Sequence, residues 1–114
     1  MFIIKKLFKC SACNFVWQGD NAPNICPKCG QTHEQFIELT PESAEKIYKS
    51  EKTNDIHMEV ITLIDKVISL SHEGIKLNLD PNCVSAFNQA INEGYIIKQR
   101  CKAEIENHIG KGKW

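Results

Sequence analysis

The chain has 114 residues, 42% of them hydrophobic and 25% charged, a length and composition that exclude a large multidomain enzyme and a disordered or collagen-like chain. Fourteen basic and fourteen acidic side chains cancel, and the stretch before Pro41, with four lysines and three acids, is nearly neutral by itself, so no nucleic-acid or other polyanion partner is expected. Asp65 and Lys66 interrupt the most apolar segment and the apolar start Met1–Ile4 is short, against the roughly 18 residues of a membrane span and the roughly 7 to 15 of a signal core, so a cytoplasmic protein is expected.

Residues 1–40 show short apolar runs broken by turn formers: Phe2 to Phe8, Phe15-Val16-Trp17, then Gly19-Asp20-Asn21, Pro23, and Phe36-Ile37. This pattern predicts a few short strands and tight turns. A module of about 40 residues buries too little apolar surface to stand alone and needs a cross-link or a metal. Thr40-Pro41-Glu42 combines a hydroxyl cap, proline in the first turn and an acid at the positive end of a helix, predicting a short helix over 41–52 with Ala44, Ile47 and Tyr48 on one face. Thr53-Asn54-Asp55 reads as a second cap. It opens a long helix over 55–75, in which Ile56, Val60, Leu63, Ile64, Val67 and Ile68 recur at three- and four-residue steps. Gly74 and Asn78 mark its end. Asp80-Pro81 repeats the cap-and-proline device and starts a helix over 81–109, closed by Gly110. The fold class is therefore α+β: a small β module over 1–40 and a helical domain over 41–114, its long helices paired as an antiparallel hairpin. Met58, Ile61 and Leu70 make the helix from Ile56 apolar over more than one stripe. This predicts a homodimer whose hairpins form a four-helix bundle.

The strongest chemical signal is Cys10-Ser-Ala-Cys13, twelve residues, then Cys26-Pro-Lys-Cys29-Gly30. A two-residue gap curls each pair into a knuckle that aims both sulfurs at one centre, and a tetrahedral thiolate set suits iron or zinc. Cys26-Pro27-Lys28-Cys29-Gly30, running on to Phe36, resembles the second knuckle of the rubredoxins. Cys10-x-x-Cys13-Asn14-Phe15-Val16-Trp17 resembles the first. The short gap is closest to the rubredoxin module of rubrerythrins. The resemblance implies a single iron on Cys10, Cys13, Cys26 and Cys29, beside aromatic residues Phe8, Phe15, Trp17 and Phe36. Asn14 stands where the family usually has glycine, and asparagine tolerates a left-handed backbone. Backbone N–H groups of Ala12, Cys13, Lys28 and Cys29 are the expected donors to sulfur.

A closed tetrathiolate shell changes charge by one electron and leaves no position for a bound water. The first functional reading is accordingly a one-electron carrier that docks to a redox partner protein, with Lys5, Lys6, Lys9 and Lys28 as candidate contacts and simple solvation as their plainer role. The second is a zinc-ribbon interaction module with a structural zinc. A third, a peroxide reductase of rubrerythrin type, requires Glu-x-x-His pairs on helices, and no glutamate here has histidine three residues later. His57, Glu59, Glu104, Glu106 and His108 are the residual candidates for a second metal. For His57 and His108 a hydrogen-bonded structural role is the simpler account. His33 and His72 are expected at the surface. Cys83 and Cys101 read as small seam hydrophobes, and Gly110-Lys-Gly-Lys-Trp114 as a solvated tail.

Overall fold

The computed structural model describes residues 5–114; the apolar start Met1–Ile4, and with it the beginning of the run from Phe2, lies outside them. Three short strands, β1 (Lys6–Cys10), β2 (Val16–Gly19) and β3 (Phe36–Glu38), form one antiparallel sheet in the order β2-β1-β3. Phe8 lies opposite Trp17 on one side and Glu38 on the other, and Cys10 pairs with Phe36. This register places Phe8 and Trp17 directly across from each other as a cross-strand pair. A single 3-10 turn, His33–Gln35, leads into β3. Leu39 N–H donates to the Leu7 carbonyl at 2.8 Å and continues the β1–β3 ladder past its end.

Two helices follow: α1 (Pro41–Leu77) and α2 (Pro81–Gly110). The expected break at 53–55 is absent, and the short helix over 41–52 and the helix over 55–75 are one. Thr40 does cap α1, its Oγ1 accepting from the Ser43 N–H at 3.2 Å. Asn54 is no cap. It is 4% exposed, and its side chain is used in tertiary contacts that outweigh its local preference for a helix start. The chain divides into compact units between Ile47 and Tyr48, within α1.

Asn78 ends α1 in the left-handed region, with φ of 45°. Asp80 then caps α2, Oδ1 accepting from the Cys83 N–H at 2.8 Å. Three contacts establish the antiparallel pairing: Gly74 against Phe87, Gly94 against Ile64 and Ile68, and Asn54 against His108. Along α1 the seam positions are Asn54, His57, Ile61, Ile64, Ile68 and Ser71. Along α2 they are Phe87, Ile91, Gly94, Lys98, Cys101, Ile105 and His108, all buried or half-buried. Both sets step by alternating fours and threes, the spacing of a coiled-coil seam. Polar seam groups are satisfied: Ser71 Oγ donates to the Val67 carbonyl at 2.8 Å, and Lys98 Nζ meets Asp65 Oδ1 at 2.6 Å.

The C-terminal stretch corrects two expectations. The left-handed glycine after α2 is Gly112, with φ of 72°, and not Gly110. The segment expected as a solvated tail turns back, and the Lys113 carbonyl accepts from Ser50 Oγ at 2.7 Å and Asn54 Nδ2 at 2.8 Å. No helix of the described residues is long and apolar enough to cross a membrane.

Gly74 and Gly94 let the helices approach closely. A Cβ on Gly74 would overlap the Phe87 ring, and one on Gly94 would lie 2.9 Å from Ile68 Cγ1. Glycine-to-alanine changes in exposed helix interiors gain about 1 kcal/mol. Here the sign reverses: Gly74→Ala is expected to lose about 1–3 kcal/mol through overpacking, measured by urea unfolding, with Phe87→Leu in the same chain recovering part of the loss.

Candidate metal centre

Cys10 closes β1 and Cys13 follows the turn after it, while Cys26 and Cys29 flank a second turn between Ile25 and Thr32, residues that pair as an isolated bridge. The two turns share one backbone template. In the first, Asn14 N–H donates to the Cys10 carbonyl at 2.8 Å and Cys10 N–H to the Phe15 carbonyl at 2.8 Å. In the second, Gly30 N–H donates to the Cys26 carbonyl at 3.0 Å and Cys26 N–H to the Gln31 carbonyl at 2.8 Å. Asn14 and Gly30 occupy the same position in each, with φ of 69° and 78°. The turn needs a left-handed residue there, and asparagine meets that need where glycine is absent. Ser11 N–H donates to the Gln35 carbonyl at 2.9 Å, tying the first knuckle to the segment that enters β3.

The four Sγ atoms lie within 4.8 Å of one another. Cys10 and Cys29 are 3.7 Å apart at sulfur, and Cys13 and Cys26 are 3.6 Å apart. All six cysteines of the chain are free, and these spacings far exceed the about 2.05 Å of a sulfur–sulfur bond. Metal–thiolate bonds of about 2.3 Å in a tetrahedron place sulfurs about 3.8 Å apart, so the donor set fits a tetrahedral ion. Burial is unequal: Cys10 and Cys26 are 0% and 2% exposed, whereas Cys13 is half-buried and Cys29 exposed.

Cys13 and Cys26 are shifted in opposite directions. Burial opposes ionisation of Cys26, yet N–H donors of Cys29 and Lys28, with the neighbouring thiols of Cys13 and Cys29, outweigh it and bring the group down to about 7. Cys13 is pushed up to about 12 by burial first, the Phe15 N–H opposing, and then by its crowding against Cys26, Cys29 and Cys10. Lys28 and Cys29 are two of the four amide donors expected from the sequence. The Phe15 donor was not, because a knuckle's reach beyond its second cysteine leaves no mark in the spacing.

The other singled-out residues behave differently. His108 Nδ1 is 2.6 Å from Asn54 Oδ1. Since the Asn54 amide nitrogen donates to Lys113, its oxygen is the acceptor and Nδ1 of His108 carries the proton. His57 and His108 come together, their ring centroids 6.2 Å apart, whereas Glu59, Glu104 and Glu106 are exposed. Among the described residues the four cysteines are the one group of three or more potential ligands close enough to share an ion. His33 and His72 are exposed, Cys83 is half-buried and Cys101 buried. Phe8, Phe15, Trp17 and Phe36 are all half-buried. Lys6 sits 3.9 Å from Glu38, and Lys5, Lys9 and Lys28 are exposed.

Residues 8–37 match the family model described as the rubredoxin-like domain of rubrerythrin. Over 97 residues the chain is 31% identical to reverse rubrerythrin-1 of Clostridium acetobutylicum, an alignment covering 79% of this chain and 48% of that protein. The chain thus spans about half the length of the curated relative it matches. No solved structure matches it. The N-terminal module is a rubrerythrin-type rubredoxin-like domain with a four-cysteine metal site, and the chain is a distant homologue of reverse rubrerythrin.

Loading the site must displace the thiol protons. Below about pH 7 Cys26 still holds its proton, above it the thiolate is preformed, and Cys13 keeps its proton on both sides. Metal affinity is therefore expected to rise with pH. Loading at about pH 6 should release close to one proton more than loading at about pH 8, measured by calorimetry of the metal-free protein in buffers of different ionisation enthalpy. Equal release at both would remove Cys26 as the early-ionising ligand.

Proposed function

We propose that the protein is a one-electron carrier whose four cysteines hold a single iron, and that the electron is exchanged with a redox partner protein. The observation that carries this reading is the arrangement of four sulfurs on one centre with two of them, Cys13 and Cys29, reaching toward solvent. Bound iron supplies a ferric/ferrous couple: one electron arrives from a reduced partner and one leaves to an oxidised partner, with no bond to substrate formed.

The side chains supply the rest. Cys10 and Cys26 anchor the ion from within the module. The Lys28 and Cys29 amides aim at Cys26, and the Phe15 amide aims at Cys13, so positive dipole ends face the negative sulfurs and favour the more negative, reduced state. Exposed Cys29, with Lys28 beside it, offers the shortest way from the ligand shell to a docked protein. Peroxide reduction at a helical di-iron site is outside this reading, because the helices lack the Glu-x-x-His spacing such centres use.

Protein purified anaerobically from its native host is expected to hold one iron per chain, to absorb visible light when oxidised and to bleach on addition of one electron equivalent of dithionite. Stoichiometric zinc in a colourless protein would replace this reading with the structural zinc-ribbon module. Cys10→Ser, which removes a ligand from the interior, is expected to abolish iron retention, whereas Cys29→Ser retains iron more weakly and shifts its absorption.

A further inference from the structure

At the end of the hairpin away from its connection, the seam between α1 and α2 is polar. Ser50 and Asn54 are buried there and both donate to the Lys113 carbonyl. Asn54 Oδ1 accepts from Nδ1 of His108 at 2.6 Å, and the ring of His57 lies beside that of His108, their centroids 6.2 Å apart. Both rings are half-buried. A neutral imidazole whose proton sits on Nδ1 keeps its lone pair on Nε2, so the relay from Lys113 through Asn54 fixes the tautomer of His108 and leaves Nε2 free to act as a ligand. Metal-ligating histidines are held in this way, with the other ring N–H given to an oxygen. Among the described residues, neither Nε2 of His108 nor the ring of His57 has a hydrogen-bond partner.

We propose that His57 and His108 bind one divalent transition-metal ion, with Glu104 as the third protein ligand and water completing the shell. The register that sets Asn54 against His108 places His57, three residues further along α1, level with Ile105, three residues back along α2, and so at the height of Glu104. Glu104 also precedes His108 by four residues, which puts the two one turn apart on one face of α2. Its carboxylate is exposed and has no ion pair among the described residues, so turning it onto an ion costs little beyond its rotamer freedom. An ion bonded tetrahedrally, at about 2.1 Å, to one nitrogen of each ring holds the centroids about 5 Å apart. The rings therefore close by about 1 Å on binding, a small rotation about their side-chain torsions. Two imidazoles and a carboxylate suit zinc and its neighbours in the first transition row, whereas calcium and magnesium take oxygen ligands. The whole set lies within the unit Tyr48–Trp114, and the bound ion ties α1 to α2 at the end their connection leaves open.

The test uses the full-length protein with its four cysteines already filled by zinc, titrated with further Zn2+ by calorimetry while the histidine ring signals are followed by NMR. One more equivalent is expected to bind, shifting His57 and His108 and leaving His33 and His72 in place, and to raise the urea midpoint of unfolding. His57→Ala and His108→Ala are each expected to lose more than the roughly 10- to 100-fold in affinity that removal of an outer-shell partner costs, and Glu104→Gln about 10-fold. His108→Ala also strands Asn54, so helical circular dichroism accompanies it, and His57→Gln carries the test where helicity falls. His72→Ala, at an exposed ring outside the set, is expected to bind as the wild type does. No second equivalent at about 100 μM Zn2+, one that survives His57→Ala, one indifferent to Glu104→Gln, or one lost equally in His72→Ala would overturn the proposal.

Discussion

Among the described residues of the β module, Leu7, Cys10 and Cys26 are the buried ones, so two of its three interior side chains are metal ligands. The interior of this module is in large part its metal site. Three strands of three to five residues cannot offset the entropy of ordering the chain by hydrophobic burial alone. The free energy of metal–thiolate bonding is therefore part of the folding free energy. The strand register, the two knuckles and the tie from Ser11 to Gln35 all serve to bring four sulfurs to one point.

The two knuckles solve the same geometric problem twice, with the same pair of backbone hydrogen bonds and a left-handed residue at the same place. They are not equivalent electrostatically. Burial raises both thiols, but two amide donors and the neighbouring sulfurs outweigh it at Cys26, whereas at Cys13 burial and then the neighbouring sulfurs prevail over the single Phe15 amide. The burial is graded in the same way, with the first cysteine of each pair inside and the second nearer solvent. The site is thus covered by the module at Cys10 and Cys26 and open to solvent at Cys29.

The metal site was legible because its signal is local: a two-residue gap, repeated, admits few geometries. The caps at Thr40 and Asp80 were legible for the same reason, each being a side chain bonding three residues ahead. The misread segment is Thr53-Asn54-Asp55. Locally it has the composition of a helix start, but Asn54 is held by Lys113 and His108, some 54 to 59 positions away in sequence. Such partners leave no trace in a local window. Gly74 was read as a loosened helix end for a similar reason: its role is to admit Phe87, and that contact exists only once the hairpin has closed.

A seam built on a seven-residue repeat has an ambiguity of its own, since sliding one helix past the other by a whole repeat restores nearly the same apolar contacts. The hairpin removes that freedom at both ends by different physics. Near the connection, the Phe87 ring fits only where α1 has no side chain, at Gly74. At the far end, Asn54 and His108 satisfy each other only in a single alignment, and displacement would strand both in the seam without partners. Shape at one end and polarity at the other act like two marks on a vernier, excluding every offset but one. The direction and spacing of whatever the outer faces present are thereby as well defined as the seam itself.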